Sequence, residues 1–108
     1  MHESPRLSHQ GLKVLRVFLL TFHDDVRAEI AGADIMKAAR ISSGTLYPIL
    51  LRLERVGVLT SRWEVERPQD LGRPRRRLYR ITSSGVQLAQ DALSELSAPG
   101  SFPTTSMA

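Results

Sequence analysis

A mainly α-helical fold with one small β-hairpin is predicted by three features of the sequence. Apolar residues recur at helical spacing around residues 8–22, 32–39, 42–57 and 82–97. Between the last two of these, VLTSRWEV and RRLYRIT alternate apolar and polar positions, and RPQDLGRPR, with two prolines and a glycine, joins them as an extended loop. Only Arg40 and Ile41 separate the second helical stretch from the third, so those two helices must turn sharply on each other. The 108 residues, 42% hydrophobic and 24% charged, suit one compact domain and argue against general disorder.

Ser8 is placed to cap the first helix, in which Leu12, Leu15, Leu19 and Phe22 fall on one face. Val14, Val17 and Phe18 widen its apolar arc past half the circumference, more than a small monomer covers, which predicts packing against another subunit. HDDVRAEI reads as a loop, with a short strand around Ala28 to Ala31. A short helix from about Gly32 through GADIMKAA turns Ile35, Met36 and Ala39 inward. The third helix starts at Ser42 or Ser43, points Leu46, Ile49, Leu50, Leu53 and Val56 to one side, and stops at Gly57. In the two strands Leu59, Trp63 and Val65, then Tyr79 and Ile81, take alternating positions. The last helix, Thr82 to Ser97, carries a stripe of Val86, Ala89, Leu93 and Leu96 before Pro99 and Gly100 end it. This order is a winged helix-turn-helix with an extra C-terminal helix. It is expected to divide into a winged helix-turn-helix unit over 7–82, a C-terminal helix over 83–97 with apolar surface for a second copy, and a disordered tail over 98–108.

Charge is unevenly spread. Residues 1–39 are neutral overall, residues 40–80 carry +6 and residues 81–108 carry −2. A basic block between neutral and acidic segments is the footprint of a polyanion-binding face, although a solvated positive surface would look the same. On the third helix the direction away from Leu46 and Leu53 is taken by Gly44, Pro48, Leu51 and Arg55, flanked by Thr45 and Arg52, with Tyr47 at the border. Serine hydroxyls and free amides at a helix front bond phosphates or base edges, and Gly44 permits close approach. Ser42, Ser43, Gly44, Thr45, Tyr47, Pro48 and Arg52 are therefore candidate DNA contacts. Pro48 fits if the helix begins near Thr45 or kinks. Gly44 as a packing glycine and Tyr47 as a half-buried ring are the plain structural alternative.

LGRPRRRLYR places five arginines within residues 73–80. The planar fork of arginine donates to phosphate bidentately and suits the negative potential of a narrow minor groove, so Arg73, Arg75, Arg76 and Arg77 join the candidate interface. The alternative is an edge strand protected by charge.

SSGTLYPILLRLERVGVLTSRW followed by RRRLYRITSSG resembles the PadR-type transcriptional regulators. Their signature is a GTLYP-led recognition helix, RLE, a Gly-Leu stop, an Arg-rich wing strand and a Leu-Thr-x-x-Gly close. GADI is similar to the Gly-Tyr-Glu-Ile that opens their second helix, and the likeness covers roughly residues 7 to 97. Ala33 stands for the usual aromatic, Leu78 for the first of two tyrosines, and a single short last helix resembles the family's compact branch. The resemblance implies that Ser43, Thr45, Tyr47, Pro48 and the wing arginines meet DNA. It also implies a homodimeric repressor, released when a small, frequently aromatic, molecule binds near the dimer interface.

Surplus apolar surface predicts how the copies pair. Leu15, Val17 and Phe18 on the first helix, with Val86, Ala89, Leu93 and Leu96 on the last, would meet their symmetry mates and read a pseudo-palindromic operator. His2, His9 and His23 match no metal-ligand spacing, and Asp24, Asp25 and Glu29 read as a solvated acidic loop. With zero cysteines, no signal sequence and no membrane span, a cytoplasmic protein without catalytic centre or cofactor is expected. The rival is a winged helix that binds protein instead of DNA, which would have no need of five wing arginines.

Overall fold

The computed structural model describes residues 7–97. Five helices and three strands follow in the order α1 His9–Asp24, β1 Ile30–Ala31, α2 Gly32–Ala39, α3 Ser43–Arg55, β2 Leu59–Trp63, α4 Pro68–Leu71, β3 Arg77–Ile81 and α5 Ser83–Ser97. The predicted tail over 98–108 lies outside the described residues.

Ser8 caps α1, its Oγ accepting from the Gly11 amide at 3.0 Å. The fully inward residues of α1 are Gly11, Val14, Leu15 and Phe18, while Leu12, Leu19 and Phe22 are half-buried. The buried seam is thus turned from the expected one, because α1 is gripped from several sides: α2, α3 and β3 pack on it as well as α5. This corrects the dimer surface. Leu15, Phe18 and Ala89 are 0%, 1% and 0% exposed within a single chain and have no area left for a partner. Val17, Val86 and Leu93 remain half-buried, and the Leu96 side chain lies outside the described residues.

The turn between α2 and α3 rests on one left-handed residue. Arg40 has φ 59°, and the amides of Arg40 and Ile41 both reach the Met36 carbonyl. A left-handed non-glycine costs about 1 kcal/mol or more, offset here by the two satisfied amides and by Ile41 packing onto the core. Leu46, Ile49, Leu50 and Leu53 of α3 are buried, each worth about 1.5–3 kcal/mol. Val56, expected on that face, is instead half exposed, because the chain leaves the helix there for Gly57 at φ 81°.

The sheet is antiparallel in the order β1-β3-β2, with Ile30 opposite Tyr79 and Leu59 opposite Ile81. Leu59, Tyr79 and Ile81 are buried as expected, but Trp63 and Val65 are 55% and 76% exposed. Trp63 ends β2 opposite Arg77, at the other end of the ribbon from Leu59 and Ile81, and Val65 lies beyond the strand. At the near end, Thr82 caps α5 by accepting from the Gly85 amide, and a Cβ on Gly85 would collide with the Val58 carbonyl. That close approach explains the glycine in TSSG. Among the described residues no helix is long and apolar enough to cross a membrane.

Candidate nucleic-acid interface

The front of α3 follows from its own short sequence. Ser42 is the cap residue, though its hydroxyl turns to Thr45 Oγ1 at 3.3 Å and bonds no helix amide. The helix begins at Ser43, so Pro48 stands inside it and not in its first turn. Proline has no N–H to give the Gly44 carbonyl four residues earlier. Apart from its chain neighbours and the helix's own backbone, no atom of the described residues lies within 4 Å of where a Gly44 side chain would begin. Ser42, Ser43, Gly44, Tyr47, Pro48 and Arg52 are all exposed and Thr45 is half-buried, so the sequence-predicted residues of α3 form one continuous open surface.

Tyr47 is partly open and partly packed. Its ring is 43% exposed, yet its phenol end lies directly over Gly32, where a Cβ would collide with it. The glycine at the start of α2 is thus the seat of the tyrosine. Beside it opens a cleft of about 480 Å³ lined by Ala33, Trp63, Arg75, Arg76 and the buried Tyr79, which joins α3 to the wing. Burial pushes the Tyr79 phenol above its ordinary value.

The wing holds its arginines in two ways. Arg73 places both terminal nitrogens on the Glu64 carboxylate, at 2.7 and 3.0 Å. The Arg76 amide donates to the same carboxylate at 2.8 Å. The Arg73 guanidinium first, and then that amide, hold the Glu64 carboxyl down at about 2. Arg77 lies 5.3 Å over the Trp63 ring, donates to Ser61 Oγ at 3.0 Å and approaches Glu54 of α3 at 3.7 Å. Ser61 Oγ donates in turn to Glu54 at 2.6 Å. This series of contacts ties the wing to α3. The loop expected between the strands is folded further than its sequence suggested, into the single turn α4 closed by Gly72 at φ 70°.

Two of the four candidate wing arginines, Arg73 and Arg77, are therefore engaged within the chain. The Arg75 and Arg76 side chains are exposed and lack a carboxylate within ion-pair distance among the described residues; Arg75 Nε donates to the Glu66 carbonyl at 2.8 Å. Arg52 and Arg55 on α3, and Arg40 at the turn before it, are exposed and uncompensated in the same way. Sequence reasoning did not single out Arg40, two residues before the helix cap, and it gave Trp63 only an alternating strand position. The register of Trp63 opposite Arg77 becomes visible only once the strands pair. Glu29, read as solvated, makes a two-point ion pair with Arg62, which lowers its pKa. Among the described residues no group of three or more His, Asp or Glu side chains could hold a metal ion.

Comparison with known proteins adds a separate line. The sequence model of the Transcriptional regulator PadR-like family matches residues 27–91. No curated protein matches. Among solved structures, smu.1704 from Streptococcus mutans UA159 is 27% identical, with 88% of this chain and 84% of that one covered and a TM-score of 0.62. A PadR-like transcription factor from Bacteroides fragilis is 28% identical, with 82% of each chain covered and a TM-score of 0.59. The MepR–DNA complex of Staphylococcus aureus shares the fold at 19% identity and a TM-score of 0.61, with 82% of this chain and 63% of that one covered.

Proposed function

We propose that this chain, which belongs to the PadR-like family of transcriptional regulators, binds double-stranded DNA sequence-specifically as a homodimer. It acts in the cytoplasm as a repressor that a small effector molecule releases. The observation that carries the DNA reading is the open surface made by the α3 front and the wing, on which Arg52, Arg55, Arg75 and Arg76 have no carboxylate partner among the described residues. Uncompensated cations beside an exposed helix front suit a duplex, the helix entering the major groove and the wing resting on the adjacent backbone. The repressor role and effector release rest on family membership alone.

Dimerisation is supported by apolar surface left over after the core is filled. Val17, Val86 and Leu93 are half-buried and Leu20 is 58% exposed. A groove of about 600 Å³ between the start of α1 and α5 is lined by Leu7, Leu88 and Ala92 with Gln87, Asp91 and Glu95 on its rim. A two-fold pairing of α1 and α5 would cover this surface and present two reading heads to a pseudo-palindromic site, with half-site centres ~34 Å apart.

The test is selection of bound fragments from genomic DNA, followed by gel shifts and light scattering on the selected operator. Wild type should enrich one pseudo-palindrome and scatter as a dimer. Leu93→Asp should scatter as a monomer and lose the shift at concentrations where wild type saturates. Enrichment of no sequence would sink the DNA reading and turn attention to protein partners.

A further inference from the structure

The outward face of α3 has a composition unusual for a surface that reads bases. From front to rear it presents Ser43 and Gly44, then Tyr47, Pro48 and Leu51, then Arg52 and Arg55, all exposed. The middle is apolar. Leu51 is 52% exposed although Leu46, Ile49, Leu50 and Leu53 already fill the core side of the helix, so packing gives no reason for a leucine there. A lone exposed leucine would need no explanation, but this one continues the surface of Pro48 and Tyr47. The helix Ser43–Arg55 also contains no Asn or Gln to bond adenine on two points. Its one carboxylate, Glu54, is held by Ser61 and Arg77 on the wing side.

If this face enters the major groove, Leu51 must lie against something. Against phosphate oxygens or base donors and acceptors it would strip water and return no hydrogen bond. The floor of the major groove carries one apolar group, the C5-methyl of thymine, and methyl contact is the way an aliphatic side chain discriminates there. We propose that Leu51, with the ring of Pro48 beside it, recognises thymine methyl groups in each half-site. The assignment rests on the DNA-binding reading and adds to it the chemistry by which this helix chooses its sequence. Leu51 is thereby a specificity-determining residue, and the selected operator carries thymine at the positions it faces.

The test replaces the thymines of the selected operator one at a time with deoxyuridine, which differs only in lacking the methyl group. Affinities are measured for wild type and for Leu51→Ala, whose melting should match wild type because the side chain is exposed. At one or two positions per half-site, wild type should lose about four-fold per methyl removed. Leu51→Ala, which removes these contacts from both half-sites at once, should bind the thymine operator at least about fifteen-fold more weakly and be indifferent to deoxyuridine at those same positions. Wild-type tolerance of deoxyuridine throughout, methyl sensitivity that persists in Leu51→Ala, or Leu51→Ala binding like wild type would each overturn the assignment. In those outcomes sequence-specific binding survives, whereas failure to select any operator removes the DNA-binding reading and this inference with it.

Discussion

The front of α3 and the wing are rich in the same kinds of donor, yet they hold them differently. On α3 the periodicity of one helix is enough: with Leu46, Ile49, Leu50 and Leu53 turned inward, residues 44, 48, 51, 52 and 55 have nowhere to go but out. On the wing, exposure is decided by carboxylates. Glu64 takes Arg73, and Glu54 with Ser61 and Trp63 takes Arg77, while the adjacent Arg75 and Arg76 stay available. A dense run of arginines is therefore not a count of charges offered to a partner. Part of it is the bracing that gives a two-stranded ribbon, marginal by itself, a fixed direction.

The sharpest way to break this distinction is to remove arginines of the two kinds. Arg75→Ala with Arg76→Ala should weaken binding to all DNA sequences by about a hundred-fold at low salt. The same pair, lost from both subunits of the dimer, should reduce the slope of log affinity against log salt by about four units. Arg73→Ala should leave that slope nearly unchanged while speeding amide exchange along residues 64–77. Salt titrations by fluorescence anisotropy compare the two variants with wild type, and an Arg73→Ala effect on the slope as large, per arginine, as that of its neighbours would erase the difference between brace and contact.

A smaller effect is expected at the junction of the two regions. Tyr47→Ala should cost about ten-fold in specific binding with little change in melting, since its ring lies over Gly32 at the surface. Gly32→Ala should push the same ring aside with little change in stability, and with a comparable loss of binding. If Tyr47→Ala instead melts far below wild type, the ring is core and not contact.

The smallest effect concerns pH. Glu64 sits at about 2 when folded against an ordinary value of 4.5, so its support for the wing is complete above about pH 4.5 and is lost as pH falls toward 2. Protection of the Arg76 amide, measured by hydrogen exchange, should persist at pH 4 and fade toward pH 2. Glu64→Gln should lack most of that protection at every pH, and a variant as protected as wild type would show that the Arg73 clamp does not hold the ribbon.

Much of this protein is written in local sequence. Ser8, Gly57 and Thr82 mark helix limits because capping depends on neighbours within four residues, and the α3 core face is readable because a helix repeats every 3.6 residues. Even the exposed face of α3, with Leu51 on it, can be drawn on a wheel before any coordinates exist. Other features need contacts between distant residues. That Leu15, Phe18 and Ala89 belong wholly to the core depended on how many elements grip α1, which no single periodic pattern encodes. The fate of Arg73 and Arg77 depended on carboxylates 9 and 23 residues away, brought beside them only when the ribbon closes and folds onto α3. Trp63 reads as one more alternating strand residue until the paired strands set it opposite Arg77 with half its surface exposed. The sequence by itself determined which helices form and which α3 side chains face out, since those are set within a turn or two of chain. Only the tertiary structure decided which arginines are free and which apolar surface is spent, because ion pairing and burial are properties of neighbours in space.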